Sequence, residues 1–127
     1  MTLDDALRTL EEAGRIRSRW LRGMSGVDIN GLSLVVSNSR TEAEMAGIFG
    51  YPFTVDLSDP LTVQGLLLLA REAWGDPTLT TMRERLGWRV YCWPATPREL
   101  YEDAGSYSPA EAEAIVAALV AAAEGVP

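Results

Sequence analysis

Apolar and polar positions along this chain recur in two periods, and capping residues mark most of the changes between them. Thr2, Thr41, Thr96 and Ser108 each stand three residues before an acid (Asp5, Glu44, Glu99 and Glu111), the spacing of a capping box or its Asp variant. Pro60, Pro97 and Pro109 sit at first helical positions, directly after Asp59, Thr96 and Ser108. These signals predict helices at about 3–22, 42–49, 60–74, 97–103 and 109–124, with Gly75 and Gly125 placed to close two of them in a left-handed cap.

Strand patterns fill the intervals. In "GVDINGLSLVVSN", Asn30-Gly31 between alternating apolar residues predicts a hairpin pairing residues 27–29 with 32–37. "YPFTVDL" alternates as a half-buried strand, and Pro52 argues that it lies at a sheet edge. "GWRVYCW" reads as a further strand. "TLTTMRER" fits a helix through Leu79, Met82 and Leu86, while its threonines favour a strand pairing back onto "GWRVYCW". The expected fold class is therefore α+β: a single domain with a small, mainly antiparallel sheet and about five helices. Helix 60–74 is apolar around most of its circumference, with Gln64 and Arg71 on one solvent stripe. That predicts a central core helix between the sheet and helix 109–124, or alternatively a buried dimer face.

Composition narrows the chemistry. The 127 residues contain no histidine and no lysine, one cysteine, and a net charge of −7. Without histidine the commonest general base and transition-metal ligand are missing. Without lysine, Schiff-base chemistry and a Walker-type phosphate loop are missing too. Cys92, mid-strand with no histidine to activate it, reads as a buried thiol. The expectation is a protein that is not an enzyme and takes no cofactor or metal. No apolar run approaches the roughly 20 residues that span a bilayer, and the polar start "MTLDDALRTLEEAG" is unlike a secretory signal, so a cytoplasmic location is expected.

The charge is uneven: residues 1–40 carry +1 and residues 41–127 carry −8. Phosphate neutralisation dominates nucleic-acid affinity, so the acidic body argues against direct nucleic-acid binding and suits a basic protein partner. Three surfaces stand out. On the strand "WRVYCW", Arg89, Tyr91 and Trp93 face one way and Trp88, Val90 and Cys92 the other. The first set is either covered by helices or forms an exposed patch of residue types enriched in binding hot spots. Glu99, Glu102 and Asp103 follow within a dozen residues, near Tyr101 and Tyr107, and would add an acidic rim. On a helix at 3–22, Arg8, Arg15, Arg19 and Arg22 form one stripe. Asp4 and Glu11 are spaced to pair with Arg8 and Arg15, leaving Arg19 and Arg22 beside Trp20; Arg15, Arg19 and Arg22 make the alternative anion-binding set.

The ordered segments "DPLTVQGLLLLAREAWGDP", "GWRVYC" and "SPAEAEAIVAALVAA" resemble small proteins of unknown function encoded by phages and prophages of high-GC bacteria, over residues 59–123. The resemblance implies a virus-encoded accessory protein in the host cytosol that binds and inhibits or modulates a host protein complex, such as a nucleic-acid-handling one; anti-CRISPR proteins act in this way. Two other readings stay open. One is a phage structural or assembly protein that self-associates through helix 60–74, and the other a DNA-binding regulator using Arg15, Arg19 and Arg22.

Overall fold

Thr2 closes a full capping box with Asp5, and helix α1 (Leu3–Glu12) follows, burying Ala6, Leu7 and Leu10. The helix ends ten residues before its predicted limit. Gly14 takes a left-handed φ of 72° directly after the C-cap Ala13, and this turn reverses the chain. Ile16 and Trp20 therefore reach the core from a bent loop after the helix, with Trp20 bridged antiparallel to Arg40.

The computed structural model describes residues 1–49, 53–91 and 107–127. Within them the architecture is α+β, with four helices and two small antiparallel sheets in place of one. The first sheet has the order β2-β1-β3, from β1 (Ser25–Val27), β2 (Ser33–Val35) and β3 (Thr54–Val55). The hairpin predicted from Asn30-Gly31 forms in a shifted register. Val27 faces Ser33 and Ser25 faces Val35, because Asp28 builds a longer turn. Its Oδ1 accepts from the main-chain N–H groups of Asn30 and Leu32, and Gly31, at φ 83°, forms the bulge. Strand β3 is an edge strand, as expected. Helix α2 (Glu42–Phe49) lies between β2 and β3 in sequence and matches its predicted range; Thr41 Oγ1 accepts from the Glu44 N–H.

Helix α3 (Pro60–Trp74) also matches its predicted limits, with Pro60 at the start and Gly75 left-handed at the end. Its environment differs from the expectation. One face is buried, through Thr62, Gly65, Leu66, Leu69, Ala70 and Ala73, while Leu61 and Leu68 are exposed. The element with neighbours on several sides is instead α4 (Glu111–Glu124), which packs against α1, α3 and the second sheet. Its alanines at 114, 118 and 122 recur every fourth residue and are buried, so both helices approach its backbone closely. Trp74 Nε1 donates to the Ala118 carbonyl at 2.9 Å, fixing α3 on α4. Helix α4 begins at Glu111, not at residue 109, and Gly125 closes it in a right-handed conformation. The second sheet is the hairpin β4 (Thr80–Glu84) and β5 (Gly87–Tyr91), so the threonine-rich segment is a strand. The helix predicted at 97–103, with Cys92 and Trp93, falls outside the described residues. Among the described residues no helix is long and apolar enough to cross a membrane.

Candidate functional site

Alternation along β5 sorts its side chains between two faces. Val90 is buried and Trp88 packs against the core, on the side turned to α4; Thr81, paired with Val90, donates to Glu111 at the start of α4. Arg89 and Tyr91 take the opposite face, with Met82 and Thr80 beside them by register. Met82 is half exposed, and Arg89 and Tyr91 are partly covered. The predicted division of this strand therefore holds as far as Tyr91. Trp93, Glu99, Glu102 and Asp103 lie outside the described residues.

A third strip of chain completes the surface. Trp88 and Ser108 exchange main-chain hydrogen bonds at 2.8 and 2.9 Å, so Ser108 runs beside β5 and does not cap a helix. Gly87 makes room for it: its φ is 133°, and a Cβ there would lie 2.7 Å from the Ser108 carbonyl oxygen. This docking brings Tyr107 over Arg89. The guanidinium carbon stands 5.1 Å from the centre of the Tyr107 ring and 5.5 Å from that of Tyr91, within the range of attraction between a cation and an aromatic face.

What Arg89 lacks is as informative. Among the described residues four arginines are withdrawn from solvent: Arg19, Arg40, Arg71 and Arg89. Arg40 meets Glu44, Arg71 donates to the Leu79 carbonyl, and Arg19 meets two carboxylates. For Arg89 the structure gives two aromatic faces and, among the described residues, no carboxylate. Its planar fork of donors lies against the rings, and such a fork can take a carboxylate or carbonyl in two parallel hydrogen bonds.

The arginine stripe of the first helix does not form. Because α1 stops at Glu12, Arg15, Arg19 and Arg22 share no helical face, and the ion pairs differ from those the spacing predicted. Arg19 is 1% exposed, with Nη2 on Asp4, Nη1 2.9 Å from Glu42, and its guanidinium 5.5 Å over the Trp20 ring. Burial pulls its pKa down and Glu42 opposes that. Arg8 pairs with Asp5 and Glu42. Glu11 accepts from the main-chain N–H groups of Arg19 and Glu42, leaving Arg15 exposed. This network joins α1, the following loop and the start of α2. Hydrogen bonding from Arg8 is the main cause that holds the Glu42 carboxyl below its ordinary value of 4.5.

One further cluster sets hydroxyls on a carboxylate. Ser25 Oγ and Thr62 Oγ1 both donate to Asp59 Oδ2, at 3.0 and 2.9 Å, and the Ser25 N–H donates to Thr62 Oγ1. No histidine or lysine exists to deprotonate either hydroxyl. Both hydroxyl protons lower the Asp59 pKa, and the cluster acts as a clasp between β1 and α3. Among the described residues no group of three or more acidic or cysteine side chains could hold a metal ion. No family model, curated protein or solved structure matches the chain.

Proposed function

We propose that the protein is a non-enzymatic binding protein that engages a partner protein through the outer face of the β4–β5 hairpin and thereby inhibits or modulates the complex to which that partner belongs. The observation that carries this reading is Arg89, over the rings of Tyr91 and Tyr107 and with no carboxylate partner among the described residues, in a chain with eighteen acidic residues. Arginine and tyrosine are enriched in binding hot spots; tyrosine buries large area with little loss of side-chain freedom, and the arginine fork adds paired hydrogen bonds. A partner carboxylate or carbonyl at the centre, seated on the rings, would satisfy the guanidinium. The acidic remainder of the chain steers the encounter with a partner of basic surroundings. The resemblance to phage-encoded accessory proteins, which rests on the sequence segments alone, supports a host complex in the cytosol as the target. The DNA-binding reading has less support, since Arg15, Arg19 and Arg22 share no helical face and Arg19 is engaged by Asp4 and Glu42.

The test uses the full chain as bait in an extract of its native cells, beside the Arg89→Ala and Tyr91→Ala variants. Each variant is expected to weaken capture of the bound protein by at least about 2 kcal/mol while the fold is retained. Capture at undiminished affinity by both variants would refute the assignment of this face.

A further inference from the structure

The strand β2 is an edge of the three-stranded sheet, and its geometry leaves a set of main-chain groups unused. In the β1–β2 pair the hydrogen-bonded positions are fixed by the bonds from Asp28 N–H to Leu32 O and from Val36 N–H to Met24 O. Counting inward by alternation, Leu34 bonds to Gly26, and the N–H and C=O groups of Ser33 and Val35 point away from the sheet. An edge of this kind is a template for another strand, and proteins ordinarily blunt it with charge, proline or a covering element. Here β2 is short, at three residues, but carries neither charge nor proline. Residues 29–39, "INGLSLVVSNS", contain no charged side chain and no proline, and Val35 is 70% exposed. Beside the edge lies a groove of about 160 Å³, lined on one side by Leu34, Val35, Val36, Met45 and Ile48 and closed at one end by Arg40, which pairs with Glu44.

We infer that this edge pairs with the same edge of a second copy, making a reversible dimer with a continuous sheet across its two-fold axis. The outward groups are self-complementary. With two β2 strands antiparallel about Leu34, each copy's Ser33 stands opposite the other's Val35, and both pairs exchange N–H and C=O bonds. Charge selects the occupant. Two chains of net charge −7 repel wherever acids meet, and this uncharged stretch lets two copies approach without that cost; a strongly charged strand would find no opposite charge along it.

Sedimentation of the full chain from about 1 μM to about 1 mM tests this, with circular dichroism as the check on folding. The expected result is a concentration-dependent dimer. Val35→Pro removes an N–H that serves nothing within the monomer, so it is expected to weaken dimerisation at least about tenfold while the fold survives. Should that variant fail to fold, Ser33→Lys, an exposed substitution that charges the edge, carries the same expectation. A chain that remains monomeric throughout overturns the inference and leaves the edge to a foreign strand. So does a dimer that survives the β2 variants, or one dispersed by Leu68→Ser on α3 and not by them.

Discussion

Replacing Arg19 by methionine probes the interior most sharply. The side chain is withdrawn from water on all sides, its two terminal nitrogens meet Asp4 and Glu42, and its plane lies over Trp20. Methionine keeps contact with the tryptophan and removes the charge, so the loss is chiefly electrostatic. Breaking a buried ion pair from one side costs about 3–5 kcal/mol when the remaining charge is stranded. The stranding here is incomplete: the side chains of Asp4 and Glu42 are 30% and 32% exposed and can rehydrate, and Glu42 keeps Arg8. That lowers the expected loss to about 2–3 kcal/mol, near the value of a hydrogen bond to a charged group. For a chain of this length the melting temperature should fall by roughly 6–15 °C. Calorimetry or circular dichroism reads this directly, with the exposed Arg22→Met as a control expected to stay within about 0.5 kcal/mol of the parent. The loss should persist in 1 M salt, because screening acts weakly on a pair this enclosed. An Arg19→Met variant that melts with the parent, or whose loss vanishes in salt, would show that the pair is a surface ornament.

Two further outcomes follow from burial and charge. Leu69→Ala should cost about 2–5 kcal/mol in urea denaturation, whereas Leu68→Ala, its exposed neighbour, should cost less than about 1 kcal/mol; equal losses would mean that both faces of α3 are covered. Glu42 has a folded pKa depressed below its ordinary 4.5, so its contribution is present above that value and is lost as pH falls through the folded value. Glu42→Gln should therefore destabilise the protein at pH 7 and converge with the parent in thermal melts toward pH 2, and a constant gap between the two across that range would contradict the pairing with Arg8 and Arg19.

Local signals in the sequence located elements well where backbone chemistry acts over a few residues. Pro60 and Gly75 bracketed α3 correctly, and Thr2 and Thr41 marked the starts of α1 and α2. Periodicity misled where a single residue could override it. Gly14 ends α1, so the arginine stripe read along a helix to residue 22 does not exist, and Ile16 and Trp20 enter the core from the loop beyond the turn. The same effect made α3 look central: a leucine run cannot reveal which of its leucines meets a neighbour, and Leu68 meets water. Alternation on β5 gave the shared face of Arg89 and Tyr91. Tyr107 was missed as part of that face because Ser108-Pro109 reads locally as a helix start, and only the pairing of Ser108 with Trp88, next to a permissive Gly87, turns it into a strand partner.

The most direct test of the β4–β5 face as the binding surface is amide hydrogen exchange of the full chain, free and bound to its captured partner. Exchange should slow on binding in peptides covering residues 80–91 and the strip at Tyr107 and Ser108, with α1 unchanged. Slowing confined to β2 or to α3, with residues 80–91 and Tyr107 unaffected, would contradict it.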